Sequence, residues 1–119
     1  MLYHTELGFP KEVIAELDKI QSLPAFNVNL IYSYHAQEQA YNKGINLPDR
    51  VNLKQGELIE VELDSFGRMV KCLWRLPYND NFDLCLVITI DRTVKTVWLN
   101  NRTDKHTTLD RKKYQEVTL

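Results

Sequence analysis

Four strand-forming segments follow one another in the second half of this chain, with only a few residues between them. They cover residues 57–64, 68–76, 83–90 and 93–100. The first alternates Ile59, Val61 and Leu63 with acidic residues, which is the period of a strand with one buried face. Connections of this length join antiparallel neighbours. The sequence therefore predicts a four-stranded antiparallel meander.

Two helices are predicted ahead of the meander. Residues 11–23 repeat apolar side chains at three- and four-residue steps, with charged residues on the other side. Residues 34–43 follow Ser33, a favourable N-cap, and stop at Gly44, which suits a helix C-terminus. We expect an α+β fold in which two N-terminal helices pack on the four-stranded meander, in a single domain of 119 residues.

The sheet face away from the helices is expected to be left to solvent or to a ligand. In the last strand, Val97 and Leu99 are expected to face the helices, because alternate side chains of a strand point to opposite sides. The residues expected on the other face are Thr96, Trp98 and Asn100, beside Lys71 and Arg75 of the second strand. This face is the expected functional surface.

Charge and hydropathy limit the function class. A formal net charge of −1 argues against non-specific binding to nucleic acids. No apolar run reaches the roughly 20 residues of a membrane span, and the N-terminus has no signal-like apolar core, so we expect no membrane association and a cytoplasmic location. Cys72 and Cys85 lie in apolar strand segments, which favours reduced core thiols.

Two histidines are candidates for proton transfer. His35 falls in the first turn of the second predicted helix, where free backbone N–H groups and the positive helix end favour a neutral, base-competent ring. The alternative is a ring that only packs or is exposed at a helix start. His106 follows the last strand, and Thr107, Thr108 and Asp110 bring hydroxyls and a carboxylate close to it in sequence. The same residues could instead cap a short C-terminal helix.

Three strand cations could hold a phosphate. Arg68, Lys71 and Arg75 are positively charged and could bind the negatively charged non-bridging oxygens of a phosphodiester. Cross-strand ion pairs with Glu60 and Glu62 would explain these cations equally well. Residues suited to base stacking are Trp98 and Tyr114, with aromatic packing as the alternative. The three histidines do not have the spacing of zinc ligands, so we expect no metal site. The sequence also has no glycine-rich phosphate loop, and we expect no cofactor.

The layout resembles a known group of proteins. The residues that carry the resemblance are Tyr34-His35-Ala36, Lys43-Gly44-Ile45, Thr96-Val97-Trp98-Leu99-Asn100, Asp104-Lys105-His106-Thr107-Thr108-Leu109-Asp110 and Tyr114. In this arrangement the chain is similar to small phage and prophage proteins, and to the compact ribonucleases and toxins that include barnase, RelE, colicin nuclease domains and EndoU. The overlap covers about residues 27–114.

The resemblance implies a function. It makes His35 and His106 the candidate acid and base, with Thr107, Thr108 or Tyr114 as supporting donors. Residues expected to bind substrate are Arg68, Lys71, Arg75, Trp98 and Asn100. The implied activity is metal-independent RNA cleavage without a cofactor, in the host cytoplasm if the protein is phage-encoded. The alternative is a non-catalytic protein of the same fold whose partner is a host or phage protein.

Overall fold

The computed structural model of the protein describes residues 1–103, in which two helices and eight strands are formed. The helices are α1 (Lys11–Ser22) and α2 (Tyr34–Lys43). The strands are β1 (Leu2–His4), β2 (Asn27–Asn29), β3 (Ile31–Tyr32), β4 (Arg50–Asn52), β5 (Glu57–Leu63), β6 (Met69–Pro77), β7 (Phe82–Thr89) and β8 (Thr93–Asn101). Single turns of 3-10 helix lie at Thr5–Leu7 and Leu53–Gln55.

The main sheet has six strands in the order β1-β5-β6-β7-β8-β3. Strands β5 to β8 pair with their sequence neighbours in antiparallel fashion, while β1 joins β5 antiparallel and β3 joins β8 in parallel. A separate two-stranded sheet is formed by β2 and β4. The predicted architecture of two helices on a four-stranded antiparallel meander is therefore wrong, because both edges of the meander carry a further strand and the sheet is mixed.

The missed edge strands have a physical explanation. Strand β1 has three residues and β3 has two, which is too short for an alternating pattern to be visible. They are strands only because the edges of β5 and β8 offer unpaired backbone groups in the folded protein. Such pairing is a tertiary effect that a local pattern does not contain.

Helix α2 packs closely against β8. The Ser33 side chain accepts a hydrogen bond from the Ala36 N–H at 3.1 Å, and Gly44 ends the helix with a φ of 66°. Ala36 and Ala40 form its buried face, and these small side chains let the helix approach the sheet. Gln39 then accepts the Val97 N–H at 3.1 Å. This bond fixes α2 against the strand.

Helix α1 is held less closely. None of its residues is buried, although Val13, Leu17 and Ile20 are half-buried and pack against the core. It begins after Pro10, which makes no side-chain capping bond, and Leu23 lies just beyond its end. Large branched side chains thus separate α1 from the sheet, whereas alanines bring α2 onto it.

The two faces of the main sheet are both buried at their centres. The helix side contains the larger core, with Leu86, Val94 and Val97 fully buried. The opposite side, hereafter the second face, holds a smaller cluster of Ile59, Leu73, Cys85 and Val87, against which Trp98 packs. Leu73 is 1% exposed and Val87 3%. The second face was expected to be left to solvent or a ligand, and its centre is not.

The raised pKa of Tyr32 predicts that the stability of the protein depends on pH. Burial first, and then the negative charge of Asp49, raise the pKa of Tyr32 from 10.0 to about 12, and its hydroxyl donates to the Pro48 carbonyl. The contribution of the neutral Tyr32 phenol to the free energy of unfolding is therefore at its full value below pH 10, and it is lost as the pH rises towards 12. Denaturant unfolding between pH 9 and 12 should show a shallower decline for Tyr32→Phe than for the wild type. Equal slopes would contradict the assignment.

Candidate functional site on the second face

Cross-strand register brings four of the predicted substrate-contacting residues to the second face. Arg75 lies opposite Cys85, which lies opposite Trp98, so these three form one row across the sheet. Lys71 is further along β6, opposite Thr89, and Asn100 lies opposite Asp83 at the end of β8. Lys71, Trp98 and Asn100 are half-buried, whereas Arg75 is 5% exposed.

Arg75 belongs to a buried ion pair. Its Nε lies 2.7 Å from Asp83 Oδ2, and its Nη2 donates to the Asn101 carbonyl at 2.9 Å. Arg102 reaches the other oxygen of the same carboxylate, Asp83 Oδ1, at 3.1 Å. Sequence reasoning proposed Glu60 or Glu62 as alternative partners for the strand cations. For Arg75 the carboxylate comes from β7, whereas Lys71 lies directly opposite Glu62 of β5, as the pairing alternative expected. Arg75 is positioned to organise this corner of the face.

A second ionisable pair lies on the same face at the N-terminal edge. His4 Nδ1 accepts the Glu6 N–H at 3.1 Å, which leaves the ring proton on Nε2 when the imidazole is neutral. Nε2 is 3.9 Å from Glu60 Oε1, and His4 and Glu60 are 7% and 1% exposed. Sequence reasoning missed this pair. His4 looked like part of a chain end, and Glu60 like the solvent side of an alternating strand.

The indole N–H of Trp98 is a buried hydrogen-bond donor. Its indole Nε1 is inaccessible to solvent and has no hydrogen-bond acceptor among the residues that the structure describes. A buried polar group left unpaired costs about 1–3 kcal/mol, so such a group calls for an explanation in a native fold. The ring packs against the Leu73 and Cys85 cluster, which holds the N–H in place on the second face.

The remaining predicted site residues lie elsewhere. His35 is exposed at the start of α2, on the helix side of the sheet, so the sheet separates it from Lys71 and Trp98. Arg68 is in the turn between β5 and β6, where its Nε contacts Asp64 at 3.1 Å and its guanidinium lies 5.2 Å from the Phe66 ring centre. The predicted residues His106, Thr107, Thr108 and Tyr114 lie outside the described residues.

Two other features, a metal site and a membrane-spanning helix, are not found among the residues that the structure describes. Among residues 1–103, no three His, Cys, Asp or Glu side chains are grouped so as to hold a metal ion. Within the same range, no helix is both long enough and apolar enough to cross a membrane.

The second face thus combines half-buried Lys71 and Asn100, a Trp98 donor without an acceptor among residues 1–103, and two buried ionisable pairs. Such a combination is typical of a recognition or catalytic surface more than of plain packing. Comparison of the chain with protein families, with curated proteins and with solved structures found no match.

Proposed function

We propose that the protein acts on RNA at its second face, as a small ribonuclease-like protein that needs no metal and works in the cytoplasm. The observation that carries the proposal is the set of polar groups on this face, half-buried Lys71 and Asn100 together with Arg102, whose side chain is 41% exposed. RNA offers phosphate oxygens to the cations, and base and ribose groups to the amide.

Each described residue of the face has a role in this proposal. Lys71 supplies a positive charge for a phosphate oxygen, and the Asn100 amide can donate to a base or a ribose hydroxyl. Arg75 is neutralised by Asp83, so it acts as a positioning residue that holds Asp83 and, through it, Arg102. Arg102 is 41% exposed in its side chain and can meet phosphate from the rim.

The proposed chemistry is an internal transfer at phosphorus. A base removes the proton of a ribose 2′-hydroxyl, whose oxygen attacks the adjacent phosphorus while the bond to the 5′-oxygen breaks. An acid gives that leaving oxygen a proton, so the products are a cyclic phosphate and a free 5′-hydroxyl. His106 is the sequence candidate for one of these roles. The described histidine on the second face is His4, whereas His35 lies across the sheet.

The test is RNA cleavage in excess chelator. His106→Ala should lower the cleavage rate by about 100-fold or more, the usual value of a general acid or base. Asn100→Ala removes the amide and should lower cleavage about tenfold, the value of one hydrogen bond. Trp98→Phe removes a buried N–H that has no acceptor among the described residues, so its free energy of unfolding should be unchanged or higher.

Matched variants separate the face from the rest of the surface. Lys71→Ala should reduce cleavage, whereas Lys43→Ala, at the exposed end of α2, should not. A wild type that cleaves no RNA, or cleavage that is equal in the wild type, His106→Ala and Asn100→Ala, would refute the proposal.

A second candidate function is favoured by one observation. The centre of the second face is buried and His35 is on the other side of the sheet, so this face can serve recognition without catalysis. In that case the protein would bind a host or phage protein through the rim formed by Lys71, Asn100 and Arg102. Stable binding without RNA cleavage, lost in Lys71→Ala and kept in Lys43→Ala, would identify it.

A further inference from the structure

A cavity of about 360 Å³ lies under α1, on the helix side of the sheet. Three half-buried side chains of α1 form its roof: Val13, Leu17 and Ile20. Its floor comes from the main sheet and includes Val61, Cys72, Trp74 and Ile88. Phe26 and Leu53 also line it. The lining of this partly open cavity is therefore mostly carbon, and the sheet separates it from the second face.

The cavity exists because of the way α1 is held. Its side chains reach towards the sheet, but none becomes buried, in contrast to Ala36 and Ala40 of α2. A cleft of this volume with a mostly apolar lining is within the size range of small-molecule binding pockets.

Charged residues line one part of the cavity, and one of them has a left-handed backbone conformation. The charged lining residues are Glu12 and Glu16 of α1, and Arg92 of the turn between β7 and β8. Arg92 has a φ of 67° and is the one residue other than glycine with a positive φ in the described range. Arg92 closes the tight turn between β7 and β8, where its N–H donates to the Thr89 carbonyl at 2.9 Å, and hairpin turns of this length commonly place one residue in the left-handed conformation.

We propose that the cavity is a binding site for a small uncharged apolar molecule. An apolar cavity of about 150 Å³ accepts a benzene ring, so about 360 Å³ has room for roughly two rings or a chain of eight to ten carbons. A charged group would be costly to bury against this lining. A polar end group of the ligand can instead meet Glu12, Glu16 or Arg92.

The size of the cavity decides the class of occupant. Helix α1 covers one side of it and the rest is open to solvent, with exposed residues such as Ile90 in its lining. A volume of about 360 Å³ fits a small molecule of about eight to ten carbons, which is less than a helix or strand of a partner protein would need. Its lining holds one thiol, Cys72, whose Sγ already lies 3.6 Å from the Ile88 carbonyl. Binding therefore depends on apolar contact and size. The site is independent of the RNA proposal, which concerns the opposite face.

Tryptophan fluorescence gives a direct readout. Trp74 lines the cavity, whereas Trp98 is on the second face, so Trp98→Phe leaves Trp74 as the single reporter. Titration with N-phenyl-1-naphthylamine should give saturable energy transfer from Trp74. Displacement by n-alkanols from hexanol upwards should strengthen about fourfold per added CH₂ until the chain fills the cavity, and then level off.

Two variants of α1 locate the binding. Probe binding to the α1 variants is followed by the emission of the naphthylamine on direct excitation, because each variant adds a tryptophan. Leu17→Trp fills the cavity from its roof and should weaken probe binding about tenfold or more. Ile14→Trp adds the same ring to a side chain that is 46% exposed and does not line the cavity, and should bind as the wild type does. Leu17→Phe is the smaller filling variant, and circular dichroism checks that each remains folded. No saturable binding, or equal binding by folded Leu17→Phe and the wild type, would overturn the proposal.

Discussion

The Asp83→Ala variant should unfold with a free energy about 3–5 kcal/mol below that of the wild type. The substitution removes the carboxylate that lies 2.7 Å from Arg75 Nε, while the guanidinium stays almost fully buried. Breaking one side of a buried pair leaves the other charge poorly solvated, which costs far more than an exposed pair is worth. Urea unfolding followed by circular dichroism measures the difference.

An exposed ion pair provides the control for Asp83. Glu16 lies 3.3 Å from Lys19 on α1, and both side chains are at least 70% exposed. Glu16→Ala should therefore change the free energy of unfolding by less than about 1 kcal/mol. A similar loss in Glu16→Ala and Asp83→Ala would mean that burial of Arg75 does not determine the cost.

The Leu73→Ala variant should be destabilised by about 2–5 kcal/mol, as much as Leu86→Ala. The two leucines lie in neighbouring strands but on opposite faces, and they are 1% and 0% exposed. Each truncation removes the same methyl groups and leaves a cavity. Equal losses would show that the second face carries a core of its own, in spite of the absence of helices among the described elements packed on it.

An exposed leucine sets the baseline for this pair. Leu7 is 73% exposed, so Leu7→Ala should change the free energy of unfolding by about 0.5 kcal/mol or less. A loss below about 1 kcal/mol for Leu73→Ala, together with a large loss for Leu86→Ala, would contradict a buried second face.

The helices and the meander were accessible to prediction because their signals are local. Ser33 and Gly44 carry the capping chemistry of α2, which is found at 34–43 as predicted. The alternation of Ile59, Val61 and Leu63 likewise survives in β5, although a register irregularity between Leu58 and Glu60 puts Ile59 in the cluster of the second face. The spacing of apolar residues thus predicted the helices and strands, whereas the bulge in β5 moved the Ile59 side chain to the other face of the sheet.

The site was less accessible because it depends on register. Arg75 could be placed on the second face from alternation, but its partner Asp83 comes from a different strand, eight residues later. His4 meets Glu60 only because β1 pairs with β5 across more than fifty residues of chain. No spacing in the sequence encodes either contact. The volume under α1 was also unpredictable, since amphipathic spacing does not say how far a helix stands from its sheet.

The two short edge strands have a consequence for how the protein reaches its fold. Strand β1 pairs residues 2–4 with 60–62, and β3 pairs residues 31–32 with 93–94. These contacts close large loops, so the meander can form before its edges are covered. Until then, the backbone edges of β5 and β8 are open to pairing with other chains. The N-terminal third of the chain therefore covers part of both edges, and we expect aggregation to be fastest before β1 and β3 dock.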